Sequence, residues 1–385
     1  MAQQSLPHSE IRQSNPPSPT MSAVVLRRGG LELIEIPIPR PGRSEVLVRT
    51  LANGICGSDL HCVGHGAELV AGVRAVSGVE LFDLDEPIIM GHEFCAEVVE
   101  YGPDCRKTLP LGTRVVSVPI LLRPQPVQIG FGGVDTPGGY AEYMVLSEDL
   151  LIPVPDNVAN DTAALAEPLT VALHAVNRGA LGSDDVPIVI GCGPIGLAVI
   201  AVLKMRGVGP IVAADFTPAR RVLATALGAD IVVDPRETSP YDSWQSVAAV
   251  SDPARYSRQT TMFPEFAFRP SVVFECVGVP GVIQQILAGA APCSKVVVAG
   301  LCMEQDTLQP TFAILKEIDV IFCISYTFDE FEQVLARIST GELRVDPLIT
   351  SRIGLDGVPD AFARLADPES DAKIIVTPTH RNREN

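Results

Sequence analysis

Residues 186–203 read VPIVIGCGPIGLAVIAVL, and two physical readings compete for them. The run is almost wholly apolar and about as long as a bilayer-spanning helix needs. Its middle argues otherwise. Gly191, Gly193, Pro194 and Gly196 would break a helix at its centre, whereas a strand, a tight turn and a buried helix use all four. In that context GCGPIG at 191–196 is a dinucleotide-binding turn. One glycine permits the turn, one lets the backbone approach a pyrophosphate, one lets helix and strand pack closely, and the helix N-terminus attracts the anion. The next strand, PIVAAD, ends in Asp215, about 20 residues beyond the glycines and placed to accept hydrogen bonds from an adenosine ribose. A carboxylate there repels the 2′-phosphate of NADP and favours the free hydroxyls of NAD, so NAD is the expected cofactor. Arg220, one helical turn on, suits a phosphate as well as a ribose, while Arg221 reads as a solvated helix face. Ile195 in the turn, with Val277, Ala299, Gly300 and Leu301 at the ends of later strands, completes the expected cofactor contacts.

Outward from that turn the chain alternates. PIVAAD, DIVVD, SVVFECVG, SKVVVAGL and IDVIFCI read as strands, and LAVIAVLKMRG, TPARRVLATALG and PGVIQQILAGA as helices between them. This is the pattern of an α/β, doubly wound parallel sheet covered by helices on both faces. It lapses between Pro235 and Pro270, where turn formers and the only Trp predict a long excursion, partly helical near Trp244. FDEFEQVLARISTG, VPDAFARLAD and AKIIVTP close the chain as helix, helix and strand. Upstream, residues 21–150 carry short β-branched runs such as EVLVRT, AEVVEY, RVVSV and AEYMVL between Gly and Pro, which predicts a compact β domain. The first 20 residues read as a disordered tail; they lack the apolar stretch of a signal peptide, and one Arg with a Glu makes a poor transit peptide.

The bulk numbers narrow the partners. The chain has 385 residues, 46% hydrophobic, which suits about two domains. Lys+Arg 29 against Asp+Glu 46 gives a net charge of -17, a field that repels nucleic acid and anionic lipid alike. Nine cysteines, an odd number spread over a long chain, point to reduced thiols and a cytoplasmic location.

A second stretch, NGICGSDLHCVGH at Asn53–His65, crowds two cysteines, two histidines, an aspartate and a serine together. A disulfide, a structural zinc knot and part of an active site all remain open from these residues alone. A structural zinc site wants four ligands in paired short spacings, and the chain has no CxxC. The stretch therefore needs a partner elsewhere, and GHEFCAEVVEYGPDC at Gly91–Cys105 offers one.

With GICGSDLH, GHEFCAEVVEYGPDC, the AEPL of Ala166–Leu169 and GCGPIG in this order, the chain resembles the zinc-containing medium-chain dehydrogenase/reductases, on the sorbitol and threonine dehydrogenase side. The resemblance covers nearly everything after the tail. It implies a Rossmann domain at 178–326 inserted in a GroES-like, β-rich catalytic domain at 21–177 and completed by 327–385, with the active site in the cleft between them. Carried over by position, it makes Cys56, His92 and Glu93 zinc ligands, and has Glu167 bind the metal directly or through its water. A thiolate, an imidazole and a carboxylate hold an ion while leaving a position open for substrate oxygen. Ser58 and His61 match the proton relay, whereas Asp59 is expected to order the loop backbone. The implied reaction is hydride transfer from a secondary alcohol or polyol to NAD, by a homodimer or homotetramer joined near IDVIFCI.

Departures from the family sharpen the reading. Residues 101–139 hold Cys105 alone where relatives carry four closely spaced cysteines, so one catalytic zinc and no structural zinc are expected. Ala96 replaces the usual Gly of the GHE signature, a change a neighbouring strand absorbs. Residues 66–90 form a longer connection than usual, expected as a loop whose Glu80, Asp83, Asp85 and Glu86 are solvated. Cys62, Cys323 and Ile324 stand where sorbitol dehydrogenases place hydroxyl-binding Tyr, Arg and Tyr, which favours a less polar secondary alcohol or its ketone. Two rivals share the scaffold: a zinc-free quinone reductase and a non-catalytic NAD-binding sensor.

Overall fold

The computed structural model describes residues 19–28, 30–79, 81–83, 85–250 and 268–378. The expected tail, apart from its last two residues, Glu80 and the middle of the 235–270 excursion lie outside these. Its centre is a six-stranded sheet in the order Ile231–Val233, Val212–Ala214, Val186–Ile190, Ser271–Glu275, Lys295–Val298, Asp319–Phe322. All five pairings are parallel. Both faces are buried, as parallel sheets require. Val189, Ala213, Phe274 and Val297 pack on one side, with helices Ala166–Gly179 and Pro194–Met205. Ile188, Val212, Val273 and Val296 pack on the other against Trp244, Ile283 and Ile286. Alternate residues of each strand thus enter opposite cores, which is the period of a pleated strand.

Ile190 stands in register with Ala214 on one side and Glu275 on the other, so the turn at Gly191 opens at the middle of the sheet's carboxyl edge. The strand order reverses there, and that is where open α/β sheets bind ligands.

The second sheet has seven strands and draws on both ends of the chain. Glu45–Gly54 pairs antiparallel with Glu93–Tyr101, Tyr143–Ser147 and the C-terminal Ile374–Val376. Register sets Gly54 opposite Glu93 and Ile375 opposite Gly54, which brings the entry to the last strand beside Glu93.

Two features differ from the sequence reading. Residues Gly57–Ser77 form one helix, kinked at His65 (φ -136, ψ 34), so the expected 66–90 loop is helical as far as Ser77. GAELVAGVRAVS is rich in helix formers, and Gly78 closes the helix in the left-handed conformation (φ 72) with its N–H on the Arg74 carbonyl. The exposed Asp83, Asp85 and Glu86 follow it. The excursion is helical at Pro240–Ala248, around Trp244 as expected, and the Ser239 hydroxyl caps Tyr241 and Asp242. A short helix, Pro310–Lys316, had no counterpart in the sequence pattern, being too brief to show a period. Among the described residues no helix is long and apolar enough to cross a membrane.

Candidate active site

The cofactor side is made largely of backbone. Gly191 has φ +90, and a Cβ there would lie 2.6 Å from Val277 Cγ2. At Gly196 a Cβ would lie 1.9 Å from the Gly191 carbonyl oxygen, so the strand and helix approach as closely as they do only with glycine. Gly193 instead faces open space, its nearest neighbour being the Arg220 guanidinium at 4.0 Å. Pro194 begins the helix, and no side chain caps its first turn, leaving those N–H groups to an anion. The packing of Val277 on Gly191 and of Gly278 against Leu301 gathers the later loops around the turn. Glu275, overlooked in the sequence, organises them. Its buried Oε1 accepts from the N–H of Val277 (2.7 Å) and Gly278 (2.8 Å), and its carbonyl accepts from Ala299 and Gly300.

Asp215 is buried at its strand end, with Oδ2 on the Cys192 N–H and Oδ1 on the Thr217 N–H, both at 2.7 Å. Each oxygen keeps a lone pair for a further donor. Arg220 has its Nε buried without a partner. Arg221 is not a solvated face. It donates to the carbonyls of Asp215 and Phe216, each at 2.8 Å, and to Asp234 at 3.0 Å.

On the other sheet, Cys56 stands at the N-cap of the helix Gly57–Ser77, with its N–H on Asp59 Oδ2 at 3.0 Å. Helical spacing carries Ser58 to His92, Oγ to Nε2 at 3.2 Å. Asp59, expected only to order the loop, does more. It is fully buried, accepts from the Tyr140 hydroxyl at 2.6 Å, and lies with Oδ1 3.4 Å from His92 Nδ1. Burial alone would raise its carboxyl, but the charge of His92 and hydrogen bonds from the Tyr140 hydroxyl and the Cys56 N–H hold it below the ordinary range. His92 moves up for the converse reason: burial opposes its charge, and Asp59 and Cys56 outweigh burial. Phe131 stacks on its ring at 6.0 Å.

Glu167, in the first turn of Ala166–Gly179, points at the same centre. Burial pushes its carboxyl up to about 7, against the nearby charge of His92, with Glu93 reinforcing the rise. Its Oε1 accepts from the Tyr326 hydroxyl at 2.9 Å. Glu93, expected as a ligand, is held in an ion pair. Both its oxygens lie on Lys373 Nζ, at 2.7 and 2.8 Å, and the same ammonium reaches the Ile55 carbonyl at 2.9 Å. Both side chains are buried, so each charge depends on the other.

His61 is half-buried one turn beyond Ser58, its ring 6.2 Å from that of His65. Burial, then the charge of His65, lowers its pKa. Of the expected pocket residues, Cys62 is buried among Ile55, Ile88 and Met90, and burial pushes its thiol up to about 12. Cys323 is half-buried, and Ile324 is exposed.

Among the described residues no three His, Cys, Asp or Glu side chains already stand in a finished metal-binding arrangement. The donor set nevertheless fits one ion. Cys56 and Glu167 both lie within electrostatic reach of His92, whose buried Nδ1 has no hydrogen bond and faces a carboxylate. That is how metal-bound imidazoles are oriented. Tyr326 and Lys373 were missed for different reasons. Tyr326 lies just past the positions where sorbitol dehydrogenases suggest a donor, and Lys373 shows only as a lone charge entering the apolar run KIIV.

Comparison with known proteins gives one family. The alcohol dehydrogenase GroES-like domain matches residues 42–156 and the zinc-binding dehydrogenase family matches residues 194–340. The (R,R)-butanediol dehydrogenase of Bacillus subtilis (strain 168) is 33% identical over 90% of this chain and 96% of its own. The sorbitol dehydrogenase of Gallus gallus is 28% identical over 94% and 98%. A crystal structure of 2R,3R-butanediol dehydrogenase from Bacillus subtilis superposes with a TM-score of 0.74 at 30% identity, covering 93% of this chain and 100% of that one. The chain therefore belongs to the zinc-containing medium-chain dehydrogenase/reductases and is an oxidoreductase acting on alcohols.

Proposed function

We propose that the protein transfers a hydride between a secondary alcohol, diols and polyols included, and NAD, using one zinc ion held by Cys56, His92 and Glu167. The observation that carries this is the convergence of a thiol, an imidazole and a carboxyl on one buried centre, with His92 braced by Asp59 and Glu167 by Tyr326. In this reading Glu93 is the counter-charge of Lys373 and not a ligand. When bound, the ion supplies Lewis acidity to the alcohol oxygen and the dinucleotide supplies the hydride acceptor.

The chain's own groups do the rest. Ser58, beside His92, takes the hydroxyl proton and passes it towards His61. Burial, then the charge of His65, lowers the His61 pKa, which favours the neutral ring that accepts that proton and releases it to solvent. Asp59 fixes the His92 ring and thereby the face it presents. The turn at Gly191–Gly196 orients the dinucleotide, and Asp215 favours NAD over NADP. The one hydroxyl proton of Tyr326 is given to Glu167, and Cys323 and Ile324 stand in place of Arg and Tyr, which supports a secondary alcohol carrying few further hydroxyls. The exposed Phe322 and Ile324 beside the unpaired edge strand Asp319–Phe322 support a homodimer or homotetramer joined there.

The test is NAD reduction by the purified protein across short secondary alcohols, diols, sugar alcohols and larger hydrophobic alcohols, with chelated enzyme as control. Chelator-sensitive turnover is expected. Turnover that survives complete metal removal would point to the quinone-reductase alternative, and protein holding zinc and NAD without turnover would point to the sensor.

A further inference from the structure

We infer that Asp234 is a positioning residue for cofactor choice: it clamps Arg221 and Arg236 and so withholds both guanidinium groups from a phosphate on the adenosine ribose. This rests on the preference for NAD proposed above and assigns part of it to a residue outside the dinucleotide motif.

Asp234 follows the third strand of the parallel sheet, Ile231–Val233, beside the strand that ends at Asp215. Its carboxylate is almost fully buried, although both its partners are arginines near the surface. Oδ2 accepts from Arg221 at 3.0 Å and from Arg236 at 2.5 Å, and Oδ1 accepts from Arg236 Nε at 2.9 Å. The same guanidinium groups converge on the Phe216 carbonyl, Arg221 at 2.8 Å and Arg236 at 2.7 Å. Arg236 also lies over the exposed Phe216 ring, 5.5 Å from its centroid.

Two cations thus flank the residue immediately after Asp215, at the place where an extra ribose phosphate would sit. Such a pair is what phosphate recognition ordinarily uses. Here Nη1 of Arg221 and Nε and Nη2 of Arg236 are directed to one carboxylate and to the carbonyls of Asp215 and Phe216, which fixes the orientation of both groups. The clamp also fixes the backbone that presents Asp215. Repulsion by Asp215 and sequestration by Asp234 are separable effects: the first acts on the phosphate directly, the second through the arginines.

The experiment is calorimetric binding of NAD and NADP to full-length wild type, Asp215→Ser, Asp234→Asn and the double variant. Wild type should bind NAD more tightly. Asp215→Ser should improve relative NADP affinity by less than about tenfold, since the arginines stay clamped. Asp234→Asn should improve it by about tenfold, the worth of one charge-assisted hydrogen bond, and the double variant by more than either. A merely structural role would weaken both cofactors together and leave their ratio unmoved, which would overturn the inference. Should Asp234→Asn not fold, Asp215→Ser still decides: a gain of about 100-fold with the clamp intact would leave Asp234 nothing to do. A wild type that prefers NADP would instead overturn the underlying NAD reading, whatever the variants do.

Discussion

The two sheets carry their chemistry differently. On the parallel sheet the cofactor site is built around the backbone of six consecutive residues, Gly191–Gly196, and the partners that shape it sit at neighbouring strand ends. At the other centre, between the seven-stranded sheet and the helix Ala166–Gly179, the site's side chains lean on others far along the chain. Ser58 meets His92 across 34 residues, Asp59 meets Tyr140 across 81, Tyr326 meets Glu167 across 159 and Lys373 meets Glu93 across 280. A site made of backbone tolerates change in its surroundings and fails when a glycine is lost. A site made of paired side chains fails through its partners.

The sharpest break between the two comes from Cys56→Ala. Turnover should fall by about 1,000-fold, the loss of several kcal/mol of transition-state stabilisation, while NAD binding is unchanged. Steady-state kinetics beside calorimetry checks both halves, and a variant that loses NAD binding equally would merge the two sites into one cooperative unit.

Lys373→Met strands the buried Glu93 charge. It should cost about 3–5 kcal/mol in denaturant unfolding. A cost under about 1 kcal/mol would mean that Glu93 finds another partner, the metal being the obvious one.

Asp59→Asn should weaken zinc binding by about 10–100-fold, read by competition with a fluorescent chelator, because His92 loses the carboxylate that faces Nδ1. Unchanged affinity would return Asp59 to the loop-ordering role read from the sequence.

The smallest effect is one of pH. Glu167, lifted to about 7 by burial, holds a proton below that value in the metal-free protein. Zinc affinity should therefore drop as the pH is lowered through 7, by up to about tenfold per pH unit from this group, and Glu167→Gln should lose that component.

The same contrast explains what could be read in advance. VPIVIGCGPIGLAVIAVL carries its own turn, period and helix start, so the central strand, the turn and the helix that begins at Pro194 followed from eighteen residues. Cys56, Ser58, His92 and Glu167, which the fold brings together, could be picked out as candidates because each lies inside a short ordered motif. Arg221 was not, since a solvated arginine and one gripping Asp234 thirteen residues on have the same helical surroundings. Glu93 hid its partner for the complementary reason: it is read beside His92, and only the register that sets the last strand against Gly54 reveals Lys373 next to it. The helix to Ser77 was hidden by Gly64, Gly66 and Gly72, which the chain tolerates at the cost of a kink at His65.

The most direct test of the account is metal analysis of purified full-length protein alongside Glu167→Ala and Glu93→Gln. The account predicts about one zinc per chain in wild type, loss of zinc from Glu167→Ala, and retention of zinc, with reduced stability, in Glu93→Gln. Zinc retained by Glu167→Ala but lost from Glu93→Gln, or about two zincs in the wild type, would contradict it.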